Sequence, residues 1–486
     1  MAWCGLALLA LVAAGIVLTG APAFLVLLTA AGAGGTLAVL SGTVPASLLT
    51  ALPGRVVNLL ENDLLQALPL YVLMGVLLDR LAIADALFRT SMRLLPKSAA
   101  APIMAGLGLG ALLGPMNGSV GASVLSLSRA VNPRLLASGV PTPLRYATIA
   151  VASTLGVVIP PSLVLILLGD AMLSAHTIAV TATGRNDRVI NTQDVFHGAL
   201  APAGLFFAAS LIVAWLMTRR VAVAATTGER ETVSAPQALL AAISILALLL
   251  LLGGVAAGYF YAVEGAATGA FTLLVIGLLT GRLSAPVLGA ALAEVMAITG
   301  TLFALLIGAT TLTLVLRLLG TDRLIGDWVI SLPGSELSVV VIVLGIIGLS
   351  AFVLDAFEII FVVVPIVVPP LLIRVADARW VAVLVLLTLQ MSFLLPPFGY
   401  ALMMVRGTLK ETLSLGALIR SLAPFLLAQW LVVAVVLAVP QLVHLGERPE
   451  DRTRAPPSTV SPRDVDKRFR EMVPAPSAPS ELDLRP

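Results

Sequence analysis

Gly156-Val157-Val158-Ile159-Pro160-Pro161-Ser162 and Ser392-Phe393-Leu394-Leu395-Pro396-Pro397-Phe398-Gly399 each set a proline pair inside a long apolar stretch. A proline pair removes two backbone donors and clashes with the preceding turn, so a helix cannot run through it intact. In water such a pair marks a loop. Here the flanks, 148–168 and 380–405, are long and apolar enough to cross a bilayer. A membrane tolerates a broken helix only where the freed backbone groups are buried in protein or line a cavity. Two such breaks, one in each half of the chain, point to a transport protein with an internal repeat and a central binding site.

Composition supports the membrane setting. The 486 residues are 59% hydrophobic and 11% charged, and the mean hydropathy is +1.05. Soluble domains carry about 25% charged residues. Of the 55 charged side chains, 16 lie in 446–486, a proline-rich tail of mixed charge that is expected to be disordered. The net charge of +3 is not a nucleic-acid signature, because basic residues cluster at the ends of apolar segments without interleaved aromatics. The single cysteine, Cys4, excludes an intramolecular disulfide and a cysteine metal cluster. The start, 1–23, resembles a signal peptide but lacks a basic leader, and a second apolar run follows at once. It reads as a retained first transmembrane helix.

Candidate spans are 3–19, 24–40, 64–78, 145–168, 199–218, 238–258, 266–279, 337–354, 359–375, 380–405 and 421–442. Two other apolar regions, 99–130 and 294–319, are interrupted at Gly114–Ser119 and Gly308–Thr311. Each reads as a re-entrant hairpin of two half-helices rather than two short spans. The expected fold is an all-α polytopic membrane protein of about eleven transmembrane helices plus two hairpins. The polar connector 219–236 divides it into halves, 1–218 and 237–446. Each half then holds a hairpin followed by a proline-broken span, an inverted-repeat order. Arg80, Arg89, Arg93, Lys97, Arg129, Arg134, Arg145, Arg219, Arg220 and Arg230 fall on one side if the first hairpin enters and leaves from that side, which is then expected to be cytoplasmic. This places the N-terminus outside and 174–197 as an outward, solvated loop that could serve as a docking surface. The tail, 447–486, is expected in the cytoplasm.

The residues able to carry chemistry lie at the interruptions. Asn117, Gly118, Ser119, Gly121 and Ser123 combine side-chain oxygens with glycines that allow close backbone approach. Such a tip can hold a desolvated cation or an anionic substrate group; tight small-residue packing is the alternative. Carbonyls freed before Pro160-Pro161 and Pro396-Pro397, together with Gly156, Ser162, Gln390, Ser392 and Gly399, are natural Na⁺ ligands; a structural kink is the alternative. Thr310 and Thr311 form the expected second tip. Asp355 and Glu358 share one helix face three residues apart, and intramembrane carboxylates default to function. A salt bridge to Arg317 or Arg374, or an interfacial loop, is the competing account. Asp170 reads as interfacial. No nucleotide, zinc-protease or serine-hydrolase motif appears.

Over about 1–445 the chain resembles the large permease subunit of tripartite ATP-independent periplasmic (TRAP) transporters. Leu68-Pro69-Leu70-Tyr71-Val72-Leu73-Met74-Gly75, the tip 117–123, the first break and 389–399 with Arg406-Gly407 carry the likeness. The stretches 352–358 and 312–322 look most like the mannitol/chloroaromatic-type branch. The resemblance implies an elevator mechanism of the ion-transporter-superfamily kind, no cofactor beyond Na⁺ as coupling ion, and Na⁺ near Asn117, Ser119, Gly156, Asp355 and Ser392. It also implies a separate small four-helix membrane subunit, a periplasmic solute-binding protein, a small organic-acid substrate and a place in the bacterial inner membrane. Leu395 stands where the family often has threonine, and Val157 where the branch often has a polar residue, so one hydroxyl ligand is missing. Two competing readings remain. One is a stand-alone ion-coupled antiporter of the same fold; the other is an intramembrane aspartyl enzyme using Asp170 and Asp355.

Overall fold

A computed structural model describes residues 2–42, 51–81, 83–95, 98–117, 119–185, 188–219, 235–396, 399–409 and 413–445. Gly118, Pro397, the tail and nearly all of the connector lie outside these residues. Among the described residues all regular structure is helical, as expected where every backbone polar group at bilayer depth must find its partner within the chain. Among the described residues, eight helices are long and apolar enough to cross a membrane: Ala2–Thr19, Ala23–Leu40, Leu163–Thr183, Thr192–Thr218, Ala262–Leu279, Ala285–Leu318, Ala356–Arg374 and Leu415–Ala438. Shorter apolar helices include Ala101–Met116, Glu336–Ser350 and Ala378–Ser392.

The first hairpin forms where the sequence places it. Ala101–Leu113 enters, one tight turn at Gly114–Met116 reverses the chain, and Val120–Ala130 returns. Ser119 caps the returning arm, its Oγ accepting from the Ala122 amide at 3.1 Å. After a short helix the first broken span follows as Thr142–Val158, an extended link, and Leu163–Thr183.

The second hairpin is not at 294–319. Ala285–Leu318 is a single helix of 34 residues that runs through Gly308-Ala309-Thr310-Thr311 unbroken. No proline interrupts this stretch. The Thr310 and Thr311 hydroxyls donate to the Leu306 and Ile307 carbonyls at 2.8 and 2.6 Å, so each polar group is satisfied within its own helix. Gly308 packs on Ala23–Leu40, where an added Cβ would stand 3.0 Å from the Leu27 Cβ. The glycine there serves helix–helix contact rather than chain reversal.

The second reversal lies instead at 351–355. Glu336–Ser350 enters and Ala356–Arg374 returns, so the expected spans 337–354 and 359–375 are two arms of one hairpin. At 15 residues the entering arm is about 22 Å long, short of the roughly 30 Å hydrocarbon core. The second broken span, Ala378–Ser392 and Tyr400–Leu409, follows directly. The described elements thus run hairpin, break, hairpin, break, with the second hairpin at 336–374 instead of the expected 294–319.

The region 174–197 is mostly helix rather than a solvated loop. Thr177, Thr181 and Thr183 each return their hydroxyl to the carbonyl four residues back at 2.8 Å, so helix continues to Thr183. Thr192–Thr218 then starts at a capping box of Asn191 and Asp194. Buried Asp194 binds Arg188 at 2.6 Å and Arg379 at 2.9 Å. His444 Nε2 meets Asp377 Oδ2 at 2.7 Å, and the Trp380 indole donates to the Val436 carbonyl at 2.8 Å. Residue 445 therefore lies on the face that carries 188–191. The opposite face holds Arg80 with Glu294 at 2.7 Å and Arg129 with Asp79 at 2.8 Å.

Candidate functional site

The first tip is pressed onto the first broken helix by glycines. A Cβ on Gly156 would stand 2.2 Å from the Gly114 carbonyl carbon, and one on Gly110 2.3 Å from the Ala152 carbonyl oxygen. Behind the tip, a Cβ on Gly75 would stand 2.7 Å from the Met116 carbonyl oxygen and 2.9 Å from the Asn117 Cα. The tip is thus clamped between helix Asp63–Arg80 and helix Thr142–Val158. Between tip and break lies a cavity with about 20 Å³ of free space, lined by Ser119, Ser123, Ser153, Gly156 and Ser162. That space suits one water or a bare cation. Ser162 caps the helix beyond the break, accepting from the Leu165 amide at 3.1 Å while donating to the Val157 carbonyl at 2.8 Å. Asn117 is buried and donates to Ser123 Oγ at 3.2 Å.

At the second tip, Asp355 caps the returning arm. Its Oδ1 accepts from the Ala356 amide at 2.8 Å, and Glu358 closes the capping box by accepting from the Asp355 amide. Arg374, an expected partner, is engaged elsewhere: it donates to the carbonyls of Ile330 and Gly334, each at 3.2 Å, and to that of Leu332. Glu358 and Ser350 are the polar walls of an otherwise apolar cavity facing Ala2–Thr19 and Ala23–Leu40. In the second break the chain folds over itself: Gly399 N–H donates to the Leu395 carbonyl at 2.8 Å and Ala401 N–H to the Phe393 carbonyl at 3.1 Å. Only glycine fits at 399, where a Cβ would stand 2.6 Å from the Phe393 oxygen. Those two carbonyls are therefore less free for a cation than the sequence alone implies. Ser392 is buried and donates to the Leu389 carbonyl at 2.6 Å, immediately before Pro396 and its turn.

The two units exchange elements. Helix Leu163–Thr183, beyond the first break, packs on Ala356–Arg374, the returning arm of the second hairpin. Helix Tyr400–Leu409, beyond the second break, packs on Val120–Ala130, the returning arm of the first. Tyr400 stands at this exchange. Its hydroxyl would lie 2.7 Å from a Cβ on Gly121, and it is within electrostatic range of Asp355 and Glu358. Its ring tilts against Phe393 with centroids 6.4 Å apart. Sequence reading missed Tyr400; an aromatic with a polar end directly after a proline break was the available signal.

Three expected site residues, Thr310, Thr311 and Gln390, fall outside this arrangement. Thr310 and Thr311 sit in mid-helix as described, and substituting both by valine is expected to change the ion dependence of uptake less than about twofold, since each bond is internal to the helix. A large shift in that titration would restore them to the site. Gln390 is fully buried and turned toward Thr154 and Gln429, away from the break it precedes. Asp170 lies on the third turn of Leu163–Thr183, with Asn62 Nδ2 donating to it at 3.4 Å.

Two hairpins, each followed by a broken helix and packed reciprocally, define a multi-pass membrane transport protein of the internal-repeat class. The chain belongs to the tripartite ATP-independent periplasmic transporter family, DctM component, whose family model matches residues 7–442. That family is one of transporter components, not of enzymes. Among its relatives, the sialic acid TRAP transporter permease protein SiaT of Haemophilus influenzae is 23% identical, over 82% of this chain and 62% of that protein. The C4-dicarboxylate TRAP transporter large permease protein DctM of Rhodobacter capsulatus is 21% identical, over 79% and 89%. The chain thus spans under two thirds of the first relative's length. The crystal structure of the Alcanivorax borkumensis YdaH transporter shares the fold, with a TM-score of 0.57 and 17% identity over 81% of this chain and 88% of that one.

Proposed function

We propose that the chain is the permease subunit of a Na⁺-coupled, binding-protein-dependent importer of small organic acids in the bacterial inner membrane. It works with a small four-helix membrane subunit and a periplasmic solute-binding protein. What supports this reading is the reciprocal packing of Leu163–Thr183 on Ala356–Arg374 and of Tyr400–Leu409 on Val120–Ala130, with Tyr400 beside Gly121 of the first tip. The helix starts at Val120 and Leu163 line one cavity, and the helix that starts at Ala356 packs on Leu163–Thr183. Helix N-termini favour carboxylates, while the tip oxygens and Asp355 favour a cation. The named relatives carry sialic acid and C4-dicarboxylates, both carboxylate substrates. Hairpins and breaks packed as one unit move together as an elevator against helices such as Asp63–Arg80 and Ala285–Leu318. The arginine-rich face is cytoplasmic by the positive-inside rule.

The test is uptake into proteoliposomes holding both membrane subunits, with the solute-binding protein added outside. Collapsing the Na⁺ gradient is expected to lower uptake of the acid that the binding protein retains by about tenfold or more, since the gradient supplies the driving free energy. Unchanged uptake without the gradient overturns Na⁺ coupling. Full uptake without the binding protein overturns the tripartite reading in favour of a stand-alone antiporter.

A further inference from the structure

Two glutamines are buried completely among apolar helices: Gln390 in the last turn of Ala378–Ser392, and Gln429 within Leu415–Ala438. Gln429 Nε2 donates to Gln390 Oε1, and Gln390 Nε2 donates to Thr154 Oγ1 at 3.3 Å. The Thr154 hydroxyl, also fully buried, donates to the Val151 carbonyl at 3.0 Å. The donors therefore run one way, from Leu415–Ala438 through the second broken helix into the first. The relay's ends are informative. Thr154 stands two residues before Gly156, where the first tip rests. Gln390 stands two residues before Ser392, at the edge of the second break. At the far end, Gln429 Oε1 is buried and accepts no hydrogen bond.

Stability does not account for these residues. An unsatisfied buried acceptor is unfavourable, and hydrogen bonds between membrane helices contribute little each. Apolar side chains of similar volume at 390 and 429 would fill the space without an unsatisfied group. What an apolar contact lacks is direction. A leucine face lets two helices slide by fractions of a turn at little cost, whereas this relay is satisfied in one register only. Shifting either broken helix alone opens a bond and leaves further polar atoms without partners.

We propose that Gln390, Gln429 and Thr154 are positioning residues that hold the two breaks in register, so that ligand occupancy at one half-site is felt at the other. This rests on the two-site transport reading above and adds the element that joins the sites.

Hydrogen exchange of the purified full-length protein tests the linkage without requiring transport. Thr154→Val removes the hydroxyl at nearly constant volume, and Thr154→Ser keeps it. Gln390→Leu cuts the relay at its centre. Thr154→Val and Gln390→Leu are expected to raise exchange by about fivefold in peptides covering both 156–166 and 393–402, while distant helices stay protected. Thr154→Ser is expected to exchange like wild type. In reconstituted uptake, Thr154→Val is expected to flatten the dependence on coupling-ion concentration. Exchange that rises only beside the substituted residue, or evenly over all helices, overturns the proposal, as does a Thr154→Ser protein as perturbed as Thr154→Val. If Gln390→Leu does not fold, the two Thr154 variants decide alone. Wild-type uptake with no ion dependence contradicts the proposed function but leaves the exchange result to judge the relay.

Discussion

Gly156→Ala is expected to lower uptake by about tenfold or more, because a methyl group forced between two backbones must displace one of them. A Cβ at 156 would stand 2.2 Å from the Gly114 carbonyl carbon and 2.4 Å from its Cα, and neither atom can turn aside as a side-chain end does. The reciprocal substitution meets the same wall, since a Cβ on Gly114 would stand 2.7 Å from the Gly156 Cα. The tip must therefore lift from the broken helix, which widens a cavity that now has about 20 Å³ of free space. Ligands spaced for a bare cation would then hold water instead. Gly108 supplies the control: it lies in the same entering arm, and no atom lies within 4 Å of an added Cβ. Gly108→Ala is expected to leave uptake intact and to stabilise the helix by up to about 1 kcal/mol. Uptake assays beside thermal unfolding separate the outcomes. Wild-type uptake by Gly156→Ala would show that the tip contact has slack that the packing denies.

The interruption at 114–119 was legible because the sequence there offers a proline, an asparagine and a serine, none of which suits a helix interior in lipid. The interruption at 351–355 was hidden because its tip, Ala351-Phe352-Val353-Leu354-Asp355, is apolar up to its last residue. Hydropathy alone joins such a turn to its arms. The tip is made instead by one acid that caps the helix after it, a local backbone device that no window average registers. The opposite error arose at Gly308–Thr311, where small and hydroxyl residues imitate a tip. Threonine hydroxyls bonded to their own helix, and a glycine pressed against Ala23–Leu40, give the same letters a different meaning. Proline breaks were legible because they act on their own backbone. Gly75, Tyr400 and Gln429 were not, because each acts on a residue far along the chain: Asn117, Gly121 and Gln390. Which face of an apolar helix meets which partner is decided by packing, and periodicity in an all-apolar helix does not record it.

Asp355→Asn is expected to leave the protein folded and to reduce ion-coupled uptake roughly 100-fold, equivalent to about 2.7 kcal/mol. Asparagine caps helices about as well as aspartate, so the bond from the Ala356 amide, now 2.8 Å, survives the exchange. The negative charge does not. Asp355→Ala removes both, and the missing cap is expected to lower stability by a further ~1 kcal/mol. Comparing the two variants separates charge from cap. If Asp355 holds the coupling ion, both lose uptake and only alanine also lowers the unfolding temperature. If Asp355 is a cap alone, asparagine transports like wild type and alanine is merely less stable, which would remove Asp355 from the site. Glu358→Gln completes the set. Its side-chain carbonyl can still accept from the Asp355 amide, so the capping box closes. Glu358 faces the apolar cavity beside Ala2–Thr19 rather than the first tip, so its neutralisation is expected to reduce uptake less than about fivefold. A reversed order, with Glu358→Gln inactive and Asp355→Asn active, would move the ion to the far side of the second hairpin. The exchange of elements between the two repeats would then serve packing alone.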